Sequence, residues 1–183
     1  MKALLINGSA RTNGNTARIL GEVARGLAEQ GFDVAQITLS EQNIGFCRGC
    51  KSCCEVGVCV QKDDVANIVE QMYNSQMLVF ASPSYWGDVT AQMKAFIDRC
   101  LPWCDTNTQC QIMPKGVKAA AIAIRAGSSK AENEKLVGTI EHFLGHLKIP
   151  MIKSFTVEKL DSIQDLEKRP DVLENAYNFG KKL

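Results

Sequence analysis

Five apolar runs of strand length, each followed by a stretch of helical period, constrain this chain more than any other feature of it. The runs are Lys2 to Asn7, Asp33 to Thr38, Met77 to Ala81, Val117 to Ile124 and Met151 to Thr156. Among the stretches that follow them, Gly14 to Gln30 carries Ile19, Leu20, Val23 and Leu27 on one face, and Asp64 to Tyr73 carries Val65, Ile68, Val69 and Met72. Asp88 to Trp103 repeats the stripe with Met93, Phe96, Ile97, Cys100 and Leu101, and Ala131 to Leu147 repeats it with Leu136, Ile140, Phe143, Leu144 and Leu147. A last helix is expected from Asp171 to Lys182. Strands alternating with amphipathic helices build an α/β parallel sheet with helices on both faces. Five such units in 183 residues suit one three-layer domain over residues 1–183, with doubly wound strand order 2-1-3-4-5. In that order a ligand sits beyond the carboxyl ends of the strands, beside the switch point. The loops after the first, third and fourth strands are therefore the ones to read for function.

The remaining sequence excludes several classes. No segment approaches the roughly 20 apolar residues of a membrane span, and the N-terminal apolar run is too short for a signal-peptide core. A net charge of +1 without a basic run gives no electrostatic footprint for nucleic acid. Eight cysteines without a secretory signal point to a reducing, cytoplasmic setting and to metal or redox chemistry rather than a disulfide framework.

The first strand is followed by Gly8-Ser9-Ala10-Arg11-Thr12-Asn13-Gly14-Asn15-Thr16, which runs directly into a helix. Free N–H groups at a helix start, the helix dipole and the hydroxyls and amides of Ser9, Thr12, Asn15 and Thr16 suit an anion, with Arg11 supplying a cation. Such residues also make ordinary turns and caps, and it is the position after the first strand that favours the anion. The loop has neither the Gly-Lys-Ser/Thr of a Walker A motif nor GxGxxG spacing, so a monophosphate suits it best. The third strand ends in Ala81-Ser82-Pro83-Ser84-Tyr85-Trp86-Gly87-Asp88, a loop able to lie against a flat ring.

These two loops resemble those of the NAD(P)H-dependent FMN reductases of the flavodoxin-like superfamily. The resemblance covers about the first 125 residues, the C-terminal third matching only in rhythm, and Ala10 stands where the family usually has Pro. It implies an FMN whose phosphate is held by Ser9, Arg11, Asn13, Gly14, Asn15 and Thr16, and whose isoalloxazine lies against Pro83, Ser84, Tyr85, Trp86 and Gly87. It further implies an enzyme that takes a hydride from NAD(P)H and passes electrons to a small acceptor such as a flavin or a quinone, assembled as a homodimer or homotetramer. Trp103 and the loop to Met113 are then expected at the interface. Arg125 has two readings, a cation for charge developing at flavin N1 and O2 or a surface salt-bridge partner.

Between the second strand and the second long helix, Leu39 to Lys62 is irregular and holds Cys47, Cys50, Cys53, Cys54 and Cys59. Three cysteines at three-residue steps and a fourth further on can converge on an iron-sulfur cluster, four sulfurs can hold zinc, and thiols can also stay free. The segment from Cys47 to Asp64 resembles the compact motif of iron-sulfur flavoproteins, which implies a [4Fe-4S] cluster on Cys47, Cys50, Cys53 and Cys59. FMN reductases with no known cluster carry a similar loop, so the motif alone leaves the ligand open. A cluster would make the chain a one-electron carrier fed by ferredoxin, and a third reading is a non-catalytic flavin-binding redox sensor. Cys100, Cys104 and Cys110 read as packing or surface thiols. His142 and His146 have i, i+4 spacing suited to a metal, with no third ligand near them in sequence.

Overall fold

A computed structural model describes residues 1–183. Five parallel strands, β1 (Lys2–Asn7), β2 (Asp33–Thr38), β3 (Met77–Pro83), β4 (Lys118–Ile124) and β5 (Met151–Val157), form one sheet in the order β2-β1-β3-β4-β5. The helices are α1 (Asn15–Glu29), α2 (Ser52–Val56), α3 (Val65–Tyr73), α4 (Ala91–Arg99), α5 (Lys130–His146), α6 (Ile163–Glu167) and α7 (Pro170–Lys181). The three-layer sandwich and its strand order are those read from the sequence. The short α2 and α6 were not expected. No helix is long and apolar enough to cross a membrane.

Central strands are apolar at successive positions because both faces are covered. Leu4 and Ile6 of β1 point into one core with Leu78 and Phe80 of β3 and the apolar stripes of α3, α4 and α5. Ala3 and Leu5 point into the other with Val79, Ile19, Leu20, Val23 and Leu27 of α1, and Val172 and Ala176 of α7. The stripes expected on α1, α3 and α5 are all buried. On α4 the inward face differs, since Arg99 is buried beside Phe96 and Cys100 while Ile97 is only partly buried. That helix also stops early, giving way to a 3-10 turn at Leu101–Trp103 whose Pro102 has no N–H to continue an α-helical ladder.

The α1 and α7 helices touch through glycine. A Cβ built on Gly26 would lie 2.2 Å from the Tyr177 carbonyl oxygen, and one on Gly180 would lie 2.3 Å from the Val23 carbonyl oxygen. Tyr177 donates to Glu29 at 2.5 Å and Lys181 pairs with the same carboxylate at 3.2 Å, fixing the crossing.

Candidate functional site

Beyond the end of β1 the backbone is drawn against β3. The Gly8 N–H donates to the Ala81 carbonyl at 2.8 Å, and a Cβ at Gly8 would lie 2.9 Å from Met93 Cε, so glycine fits here. Thr90, the cap of α4, donates its hydroxyl to the Gly8 carbonyl at 2.5 Å. Buried Asn7 accepts from the Ser9 N–H at 3.0 Å, and the Ser9 hydroxyl accepts from the Arg11 N–H at 3.0 Å, which curls the loop over the start of α1.

Gly14 is the N-cap of α1 and supplies no side-chain cap. The N–H groups of Asn15, Thr16 and Ala17 find no acceptor in the protein. Buried Asn15 Oδ1 and Asn7 Nδ2 are also unpaired, while Asn15 Nδ2 donates to the Ser162 carbonyl at 3.0 Å. Buried polar groups normally find partners. Three orphaned donors at the positive end of a 15-residue helix, beside buried Ser9 and Thr16, form a cradle for an anion.

A cavity of about 90 Å³ is lined by Ser9, Arg11, Gly14, Asn15, Thr16, Pro83, Ser84 and Tyr85, together with residues from the β4 and β5 ends. The expected phosphate residues and the start of the expected ring loop therefore converge. Asn13 is exposed and faces an adjoining cleft, and Trp86 and Gly87 do not line the cavity. Tyr85 and Asp88 exchange backbone hydrogen bonds of 2.9 and 3.2 Å around a two-residue turn in which Trp86 (φ 54°) and Gly87 (φ 75°) are both left-handed. This is the geometry of a tight hairpin turn that favours glycine at both places. Trp86 is 102% exposed, so its ring covers nothing in this chain.

Leu160 and Asp161, from the loop after β5, complete the cavity and were missed in the sequence. Their one signal was the Ser162-to-Asp165 capping box, which starts α6 and fixes that loop. Arg125 lines the cavity and pairs with Glu132 at 2.6 Å, the salt-bridge reading of that residue. The cavity is smaller than the roughly 300 Å³ at which pockets for drug-sized ligands begin. Its size and donors suit an anion such as a phosphate, and Tyr85 stands 44% exposed beside it.

The cysteine loop is closed at its base by a buried ion pair. Arg99 reaches Asp63 Oδ2 at 2.5 Å and Oδ1 at 3.0 Å, and donates to the Gly45 carbonyl at 2.7 Å. The same carboxylate accepts from the Gly45 N–H at 2.9 Å, and Asp64 accepts from the Asn43 N–H at 2.7 Å. Burial pushes the Asp63 carboxyl up, but the Arg99 guanidinium and the Gly45 and Val65 N–H groups outweigh it and hold the pKa below the ordinary value. Within the loop, Cys47 and Cys50 are exposed, Cys53 is buried, and Cys54 and Cys59 are half-buried. No three of these sulfurs lie within 4.8 Å of one another. Hydrogen bonds from the Ser52 N–H and hydroxyl lower the Cys50 thiol, whereas burial and then the neighbouring Cys54 and Cys59 raise Cys53. Gly49, Lys51 and Gly57 have left-handed backbones that fold the segment into successive turns. Four of the five thiols on so tightly turned a loop would make a donor set suited to zinc or an iron-sulfur cluster.

Known proteins place these features in context. An iron-sulfur flavoprotein of Archaeoglobus fulgidus is 39% identical over 132 residues, which span 72% of this chain and 58% of that protein. A putative NAD(P)H-dependent FMN-containing oxidoreductase of Bacillus subtilis is 31% identical over 147 residues, 78% of this chain and 76% of that protein. Among solved structures, a protein of Streptococcus mutans superposes over the whole of both chains with a TM-score of 0.76 at 18% identity, a likeness of fold. The cradle after β1, the ring loop after β3 and the match to the family description over residues 1–158 agree: the chain belongs to the NADPH-dependent FMN reductase family.

Proposed function

We propose that the protein holds one FMN non-covalently and acts as an NAD(P)H-dependent oxidoreductase that passes electrons to a small acceptor such as a flavin or a quinone. The observation that carries this reading is the set of unpaired N–H donors at the start of α1, enclosed by buried Ser9 and Thr16. When bound, FMN supplies hydride acceptance and electron release, so this chain needs no acid–base residue of its own to define the chemistry. Ser9, Asn15, Thr16 and the N–H groups hold the phosphate, with Arg11 at the rim. Asn13, which lines the adjoining cleft, would meet the phosphate from outside the cavity. Pro83, Ser84 and Tyr85 orient the ring, and Trp86 and Gly87 form the turn that holds Tyr85 in place. Arg125 offers positive charge near the ring, moderated by its pairing with Glu132.

A second reading is favoured by the four cysteines and by the name of the Archaeoglobus relative. In it, Cys47, Cys50, Cys53 and Cys59 ligate a [4Fe-4S] cluster and ferredoxin replaces NAD(P)H as donor. Cys47 and Cys50 then turn inward from the surface to join Cys53. An absorption spectrum with iron and sulfide analysis, on protein purified without oxygen, tests both readings. Flavin bands with NAD(P)H turnover and no iron are the expected result for the first, and about four irons per chain support the second. Bound flavin without turnover by either donor leaves a redox sensor, and no flavin overturns the proposal.

We further place the protein in the cytoplasm, where a reducing medium keeps its eight free cysteines as thiols, and in a homodimer or homotetramer. The bare Trp86 ring supports assembly, since an aromatic exposed on a strained turn suits an interface or a bound ring. Light scattering on a sizing column is expected to give a multiple of the 20.1 kDa chain mass. A single-chain mass would remove the oligomer.

A further inference from the structure

The turn that follows α4 and its 3-10 extension meets the carboxyl end of α5, where the Asp105 N–H bonds the His146 carbonyl. There the fold joins residues that lie some 40 positions apart in sequence. His146 Nδ1 stands 2.7 Å from Asp105 Oδ1, Cys104 Sγ stands 3.9 Å from the same oxygen, and one ligand atom from each residue lies within 4.8 Å of the others. No other group of three or more histidine, cysteine or acidic side chains in the chain is gathered as closely.

We propose that Cys104, Asp105 and His146 form a binding site for one divalent transition-metal cation of the zinc class, separate from the flavin cradle and from the Cys47 to Cys59 loop. A thiolate, a carboxylate and an imidazole are three of the donor types zinc takes, and in tetrahedral coordination they stand about 3.5 Å from one another. The separations of 2.7 and 3.9 Å from Asp105 Oδ1 bracket that spacing, and a cation replaces the His146–Asp105 hydrogen bond.

The two ligand segments are tied together by main chain. The Asp105 N–H donates to the His146 carbonyl at 2.9 Å, and the Asn107 N–H donates to the Cys104 carbonyl at 2.9 Å. The Asn107 side chain donates to Leu101 at 3.3 Å and to Cys53 at 3.1 Å, so the turn carrying Cys104 and Asp105 is fixed from both sides. Thr106 lies 3.0 Å from Cys104 Sγ, where its hydroxyl can donate to a thiolate. His146 belongs to the last turn of α5, whose carbonyl end favours positive charge.

Asp105 is also bonded by Lys148. Lys148 occupies Oδ2 and leaves Oδ1 to the metal, but its ammonium opposes a cation. The remaining coordination position opens on a cavity of about 610 Å³ between α4 and α5, lined by Cys104, His146 and His142. The His142 and His146 rings are 4.7 Å apart, so a fourth donor is at hand on the same helix.

The test measures Zn²⁺ stoichiometry by equilibrium dialysis on the full chain carrying Cys47→Ser and Cys50→Ser, two exposed positions whose loss disables the other cysteine site. In that background one equivalent is expected to bind, and Cys104→Ser or His146→Ala is expected to remove it. Lys148→Met, which deletes an exposed side chain and no ligand, is expected to tighten binding about fivefold by removing one like charge. Co²⁺ is expected to give a thiolate charge-transfer band that Cys104→Ser abolishes. Binding that is unchanged in Cys104→Ser and His146→Ala, or weaker in Lys148→Met, would overturn the proposal and leave an ion-pair network alone.

Discussion

Asp63→Ala is expected to lower stability by about 3–5 kcal/mol, because it leaves the guanidinium of Arg99 buried without its counter-ion. The Arg99 side chain is 1% exposed and that of Asp63 8%, so water does not screen the loss. The same change also removes the acceptor of the Gly45 N–H, so the cysteine loop loses its fastening where it leaves the fold. Urea unfolding measures the first effect, and limited proteolysis between Phe46 and Val60 measures the second. The double variant Asp63→Leu, Arg99→Met is expected to recover most of the loss, since replacing a buried pair by apolar groups of similar size is often close to neutral. A loss under about 1 kcal/mol would mean that the pair behaves like a surface ion pair. The pH dependence has a definite sign. Asp63 has a pKa lowered by folding, so its contribution is present above the unfolded value and is lost as pH falls through the folded one, in the range below about 4.

Thr16→Asp is expected to weaken FMN binding about a thousandfold. A unit charge about 4 Å from another costs about 4 kcal/mol at an effective dielectric near 20, and a carboxylate in the cradle would face the phosphate at such a distance. The unliganded protein is expected to keep its stability, because an acidic side chain in the first turn favours the helix dipole. Flavin fluorescence titration with FMN and riboflavin separates charge from general damage. Riboflavin has no phosphate, so its affinity is expected to stay the same. Equal loss for both ligands would show that Thr16 shapes the ring site or that the fold has moved, and an unchanged FMN affinity would remove the phosphate from this loop.

The parts of this protein that were legible in its sequence are those written in a short period. β1 and the α1 stripe of Ile19, Leu20, Val23 and Leu27 announce their environments within a few residues, and the cradle lies directly between them. Arg99 was hidden because a charged residue on an amphipathic helix is read onto the solvated face, while here it sits on the inward face with its partner 36 positions away. Leu160 and Asp161 reach the cavity only because the loop after β5 folds back towards α1, a closure that no local spacing encodes. His142 and His146 showed a metal spacing, but the residues gathered at His146 come from the turn after α4. Trp86 is a motif residue whose ring is fully exposed and does not line the cavity that its turn adjoins.

The glycine crossing of α1 and α7 bears on how quickly a ligand can be taken up. Two backbones in contact, with the ends pinned by Glu29, Tyr177 and Lys181, leave α1 no room to slide or roll. The donors at its other end are thus held by a helix that is already fixed before any phosphate arrives. Uptake of the flavin is then governed by diffusion and charge, and differences in retention among variants of the cradle belong to the rate of escape.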